Sequence, residues 1–322
     1  MKSLLVCLTS LAIACGSSDS EPAKKTNPDS GTGGAGPWQA EASLPVALQG
    51  PGAVESGGKI YVVGGIEASS VTTKVRVYDP AAKTWSEGPA LPDPRHHVAM
   101  AAVGGDVYSI GGASDTDYTP LDKVSVLKAG ASAWESVPAL VLNRAAAVAA
   151  VIDGKIYVAG GVGDGKKQMG DVVMFDTSNA NWTVEAALPT PREHVSGFAY
   201  GGKLYVVGGR LGSPNAQSAD VDIYDPAAKS WSSGPPLPTP RGELGTALLG
   251  DKAYAIGGET LTGGLDTVEV LDLAAGSWSS APPLTVPRHG AGVAAASGRV
   301  YVIGGASAAN IAPLDLVESY AP

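Results

Sequence analysis

Each of the six tryptophans in this chain is followed, 26 residues later, by the first glycine of a Gly-Gly pair. The tryptophans are Trp38, Trp85, Trp134, Trp182, Trp231 and Trp278, and the glycines are Gly64, Gly111, Gly160, Gly208, Gly257 and Gly304. The repeat length is therefore 47 to 49 residues. A second stretch is equally fixed, with a valine 10 residues before each later tryptophan, from Val75 before Trp85 to Val268 before Trp278. Variation is confined to the 9 to 11 residues between the second glycine and that valine. Surface loops tolerate insertion and packed cores do not, so the variable piece is a loop and the fixed pieces are core.

Four strand-like runs fill each repeat. In the second they are Val98 to Val103, Val107 to Ile110, Val124 to Leu127, and Ala133 to Glu135. Short β-rich runs bounded by Gly, Pro and Asp turns argue an all-β fold of antiparallel neighbours. The first run is rich in small residues, as in Ala145 to Ala150, which suits the innermost strand of sheets converging on an axis. A tyrosine precedes every diglycine by three residues: Tyr61, Tyr108, Tyr157, Tyr205, Tyr254 and Tyr301. These rows of tyrosine and tryptophan are read as blade-to-blade packing. The last repeat stops at Val317 to Tyr320 without a tryptophan strand, while the first is preceded by a spare one at Trp38 to Ala40. Pairing 38–42 with 316–320 closes the ring and leaves no open edge.

The repeat resembles the kelch family. The resemblance rests on Tyr-Val-Val-Gly-Gly at 61–65, Val-Tyr-Asp-Pro at 77–80, Trp85 and Leu-Pro-Asp-Pro-Arg at 91–95, recurring over residues 38–322. It implies a six-bladed β-propeller, each blade a four-stranded antiparallel sheet, with the N-terminal strand completing the last blade. One scaffold of this kind carries many functions, so fold alone names none.

Residues 1–15 stand outside the repeats. Lys2 and the apolar run Leu4 to Ala14 form a signal peptide, since eleven residues are too few to span a bilayer. The run ends Leu11-Ala12-Ile13-Ala14-Cys15, which resembles a bacterial lipobox with Cys15 as the acylated residue. It departs from that pattern in having Ala12 three before the cysteine, with Leu11 one place early. Residues 16–37, rich in Gly, Ser, Asp, Pro and Thr, cannot bury a core and read as a flexible tether. The expected protein is exported and lipid-anchored at a bacterial membrane, facing the periplasm or the exterior; simple secretion is the alternative. The propeller itself has no cysteine, so packing alone must hold it. A formal charge of −9 argues against nucleic acid and against anionic lipid surfaces, leaving the lipid as the only membrane contact.

Sixteen residues before the diglycines stand Leu48, Arg95, Arg144, Arg192, Arg241 and Arg288. They occupy the connection into each blade's inner strand, on the same face as the variable loops. The resemblance implies that this face binds ligands and that its arginines grip carboxylates; the alternative is that each arginine bonds neighbouring carbonyls. All four histidines, His96, His97, His194 and His289, fall one or two residues after these arginines, and Glu193 and Glu243 share the same connections. Arg210 and Glu259 directly follow a diglycine, where blade packing does not require them. The expected ligand site is therefore Arg95, Arg144, Arg192, Arg210, Arg241, Arg288, His97, His194, Glu243 and Glu259.

No metal and no cofactor is expected, because short His spacings are lacking and blades two apart lie far from each other across the axis. Copper-radical oxidase chemistry of the galactose oxidase kind needs a cysteine that the propeller lacks. No nucleophile elbow or phosphate loop is present. The favoured function is a monomeric module binding a protein or glycan ligand. The alternatives are a sugar-processing enzyme resembling the sialic acid mutarotases, and a passive cell-surface scaffold.

Overall fold

The structure, a computed structural model, describes residues 37–322 apart from 214, 309 and 310. The expected leader with Cys15, and all but the last residue of the expected tether, lie outside the described residues. Six four-stranded antiparallel sheets make the fold. In the first blade Gly52–Ser56, Lys59–Val63, Val75–Asp79 and Thr84–Gly88 pair in chain order. Blades two to five repeat this order within 99–137, 148–184, 196–233 and 245–281. The sixth holds Gly292–Ala296, Arg299–Ile303 and Val317–Tyr320, and its outer strand is Gln39–Ala40 from the other end of the chain. Gln39 stands opposite Ser319 and Ala40 opposite Glu318, the expected closure.

The core lies between blades rather than at the middle. Each of the six interfaces has its own apolar cluster; one joins Val148, Ala150, Tyr157 and Val172 of blade three to Leu204, Val206 and Tyr224 of blade four. Inner strands crowd at the axis, which explains their small residues. A Cβ on Gly245 would lie 2.1 Å from the Val293 side chain of the next blade. Every tryptophan ties its blade to the preceding one. Trp85 Nε1 donates to the Ala42 carbonyl, Trp134 to Pro89, Trp182 to Pro138, Trp231 to Ala186 and Trp278 to Pro235, all at 2.8–2.9 Å. Trp38 makes the closing bond, to Pro282 at 2.8 Å, and its ring lies 5.3 Å from that of Tyr320.

The diglycine has a different task. The second glycine donates its N–H to the carbonyl of the next blade's arginine, as in Gly65 to Arg95 and Gly112 to Arg144, both 2.8 Å. A Cβ on Gly64 would sit 2.1 Å from that same oxygen, so only glycine lets the two chains approach. Gly305 completes the circle on the Leu48 carbonyl at 2.8 Å.

The arginines whose carbonyls take part in this clasp turn their side chains into their own blades. Arg95 donates to the Lys123 carbonyl at 3.0 Å and Ser125 Oγ at 3.1 Å. Arg144 donates to the carbonyls of Gly160 and Asp171 at 3.0 and 2.7 Å. Arg192 reaches the Gly208 carbonyl at 2.9 Å and Asp222 at 2.6 Å. Arg241 holds the Ala255 carbonyl and Glu269, and Arg288 holds the Leu316 carbonyl and Glu318. All five are 0–2% exposed. This corrects the expectation that Arg95, Arg144, Arg192, Arg241 and Arg288 meet a ligand. Desolvation of five guanidinium groups is offset by bonds inside the blade, and few donors remain to turn outward.

Candidate functional site

Two residues past each arginine position the chain passes through left-handed backbone, at Gly50, His97, Ala146, His194, Glu243 and Gly290, with φ between 48° and 62°. A non-glycine residue there costs about 1–2 kcal/mol. The turns are locked to one another around the axis. His97 N donates to Gly50 O, Ala146 N to His97 O, Glu243 N to His194 O, Gly290 N to Glu243 O, and Gly50 N to Gly290 O, at 2.7–3.0 Å. This girdle carries His97, His194 and Glu243, from blades two, four and five, to the mouth of the channel. Its glycines make the room: a Cβ on Gly50 would lie 2.5 Å from the His97 ring, and one on Gly290 would lie 2.6 Å from Glu243 Oε1.

A second tier surrounds the first. The residue after each arginine position pairs with the residue after a diglycine, giving His96 with Ala113, Glu193 with Arg210, Gly242 with Glu259 and His289 with Ala306. The connections into the blades and the variable loops thus share one face. Gly242 leaves space for Arg210, whose Cγ would otherwise meet a Cβ at 2.6 Å.

These side chains form one network. His97 Nε2 lies 2.8 Å from Glu243 Oε1. Glu243 Oε2 accepts from Arg210 Nη2 at 2.6 Å and lies 3.0 Å from His289 Nδ1. Arg210 also pairs with Glu259. His96 Nδ1 and His97 Nδ1 are 2.5 Å apart, and His96 Nε2 meets the Asp115 carbonyl at 2.8 Å. Tyr118 Oη, from the variable loop of blade two, lies 2.7 Å from His194 Nε2, while His194 Nδ1 bonds Glu193.

Burial and neighbouring charge set the protonation states. Burial, reinforced by His97, drives His96 down to about 3, so it is neutral. Burial and then Arg210 lower His194, against the pull of Glu193. His289 goes the other way: burial opposes its charge, but the hydrogen bond and charge of Glu243 raise it to about 9. Burial also opposes the Glu243 carboxylate, yet bonds from His289 and His97 hold it well below the usual range. Glu259 is raised, by burial and then by the Glu243 charge. Tyr118 is pushed far up by burial and then Glu243, so it stays a hydroxyl donor.

Above the network opens a cavity of about 630 Å³. Its floor is polar, with Tyr118, His194, Arg210 and Glu243, and its rim includes Leu261 and Ile311. Leu261 is 69% and Ile311 43% exposed. The structure therefore brings together His97, His194, Arg210, Glu243 and Glu259 from the expected site, while none of the five repeat arginines lines the cavity. His96, His289 and Glu193 stood beside the expected residues without being counted among them. Tyr118 was missed; an aromatic in a loop of varying length was the one available signal. The distance expected between alternate blades is also corrected. The left-handed turns point inward, and the His97 and His194 rings are 5.1 Å apart.

The repeat can now be set against known proteins. The pattern described as the KLHDC2/KLHL20/DRC7 Kelch-repeats domain matches residues 140–305, over half the chain, and the Kelch motif matches residues 47–92. Kelch repeat and BTB domain-containing protein 13 of Homo sapiens is 35% identical over 91 residues, 27% of this chain and 19% of that protein. Kelch-like protein terF of Aspergillus terreus is 26% identical over 182 residues, 53% of this chain and 30% of that protein. The matched regions thus span less than a third of these relatives' lengths. A solved structure of YjhT superposes with a TM-score of 0.74 at 17% identity, covering 86% of this chain and 95% of the other, which is a likeness of fold.

Proposed function

The chain belongs to the kelch-repeat family, and from that premise we propose that it is an extracytoplasmic binding propeller whose ligand is a glycan seated in the axial cavity. One observation carries this reading. His97, His194 and Glu243 occupy strained left-handed turns that the repeat fills with glycine or alanine at Gly50, Ala146 and Gly290. Blade packing does not require those side chains, and strain of this kind gathers at functional sites. The chemistry of the floor suits hydroxyl groups, which both donate and accept, because carboxylates, imidazoles and a phenol converge there. Leu261 and Ile311 at the rim offer apolar surface to a sugar's C–H face. With the repeat arginines engaged inside the blades, the cations left at the cavity for an acidic ligand are Lys166 and two groups already paired with glutamates, Arg210 and His289.

Calorimetric screening of the full chain against a panel of neutral, amino and acidic sugars tests this. At least one neutral or amino sugar should bind, and Glu243→Gln should weaken it about 10-fold or more, the loss of a charge-assisted bond or two. Binding of none, or binding indifferent to Glu243→Gln, contradicts the reading. Anchoring through Cys15 belongs to the same proposal. Cys15→Ala should move the protein from the membrane to the soluble fraction and abolish incorporation of a fatty-acid analogue; unchanged fractionation argues against the anchor.

A sugar-processing activity of the mutarotase type is the second reading. It is favoured by the chain Tyr118–His194–Glu193, where a neutral imidazole sits between a hydroxyl donor and a carboxylate. Such a chain can pass a proton to or from a ring oxygen. Anomer interconversion above the uncatalysed rate, lost in His194→Ala, would favour it.

A further inference from the structure

The two axial histidines are presented in the same way, although they come from different blades. His194 has its Nδ1 bonded to Glu193, the residue before it, and turns Nε2 toward Tyr118. His97 has its Nδ1 against His96, also the residue before it, and turns Nε2 toward Glu243. The tautomers follow from the partners. The Asp115 carbonyl can only accept, so His96 Nε2 carries the proton and its Nδ1 accepts from His97 Nδ1–H. His97 Nε2 then faces a carboxylate oxygen 2.8 Å away. A cation joins these two atoms, either a proton on the imidazole or a metal ion that replaces it. Imidazoles whose Nδ1–H is held by an acceptor, with Nε2 turned to the site, are arranged as metal-ligating histidines are. Glu243 is prepared likewise, since Arg210 and His289 hold its Oε2 and leave Oε1 facing His97.

We propose that His97, His194 and Glu243 bind one divalent transition-metal ion, of the zinc, cobalt or nickel class, on the propeller axis. One donor atom from each lies within 4.8 Å of the others, so a small inward movement of three side chains brings them to bonding distance. Two imidazoles and one carboxylate suit these ions rather than calcium or magnesium. The ion displaces the Tyr118 hydroxyl from the His194 lone pair, and its open positions face the cavity. The neighbouring set Glu243, Glu259 and His289 also converges, but the Arg210 guanidinium already lies against both of its carboxylates. The expectation of no metal rested on the separation of alternate blades, which the left-handed turns remove.

The proposal is independent of the sugar reading and is assayed without sugar. The full chain, stripped with chelator and titrated with Co²⁺, should bind one ion per chain with the visible bands of a low-coordinate nitrogen and oxygen site. His97→Ala and His194→Ala should each weaken binding by at least ~10-fold, as should Glu193→Gln acting through His194. Lys203→Ala, in the hairpin at the far end of the inner strands, should leave it unchanged. Absence of binding, or an unchanged stoichiometry in the His97→Ala/His194→Ala double variant, overturns the proposal. Should a variant fail to fold, anomalous scattering from zinc-soaked wild-type crystals decides: a peak among the three side chains supports the site, and a peak elsewhere or none refutes it.

Discussion

A methyl group at Gly50 would lie 2.5 Å from the His97 ring, on backbone with φ of +62°. Gly50→Ala should therefore destabilise the fold by about 2–4 kcal/mol, from backbone strain and overpacking together, and should displace His97. Chemical denaturation measures the first effect, and the His97 ring resonances report the second. The glycines and the site are thus one design: where the girdle lacks a side chain, it makes room for its neighbour's. His289 makes a separate prediction at this scale. Its folded pKa, about 9, lies above the ordinary histidine value of 6.5, so the stability it contributes is complete below pH 6.5 and lost as pH rises through about 9. The loss should be about 3–4 kcal/mol, at roughly 1.4 kcal/mol per pKa unit. Melting in EDTA across that range should show it, and His289→Gln should flatten it. The clustering of histidines after the arginines was legible in the sequence. Their meeting on the axis was not, because it depends on a left-handed turn that no residue type at His97 or His194 announces.

Single elements carry closure and blade identity. The strand Gln39–Ala40 has only two residues, yet Trp38 beside it is 7% exposed, packs against the Tyr320 ring and bonds the Pro282 carbonyl. Trp38→Ala should cost about 3–5 kcal/mol, and deleting 38–44 should cost more by opening the sixth blade. Thermal unfolding measures both; a deletion that melts with the wild type contradicts the closure as a source of stability. The arginine connection behaves as an element too. Arg192→Ala strands Asp222, its partner at 2.6 Å, inside blade four and should cost about 3–5 kcal/mol. This is a stability effect, and it reverses the role that spacing and family resemblance suggested for the residue. Periodicity located these five arginines but could not say which way they turn. The blade's own carbonyls and its strand-three residue, Ser125, Asp222, Glu269 or Glu318, decide that.

At the scale of the whole molecule, the repeat dictates a ring and the departures from the repeat dictate its chemistry. Blade count, strand order and closure followed from the tryptophan and diglycine spacing, because the bonds between blades use backbone groups and tryptophan N–H groups present in every repeat. The floor of the cavity is assembled from blades two, four, five and six, whose residues are tens of positions apart, so only ring geometry could bring them together. On the proposed reading the axial network, and not the buried arginines, receives the ligand. A crystal structure of the protein with a sugar identified by the binding screen tests it most directly. The sugar should lie over Tyr118, His194, Arg210 and Glu243, with the five repeat arginines unmoved in their sockets. A sugar bound at the opposite mouth near Lys203, along a blade edge, or in contact with an arginine released from its blade would contradict it.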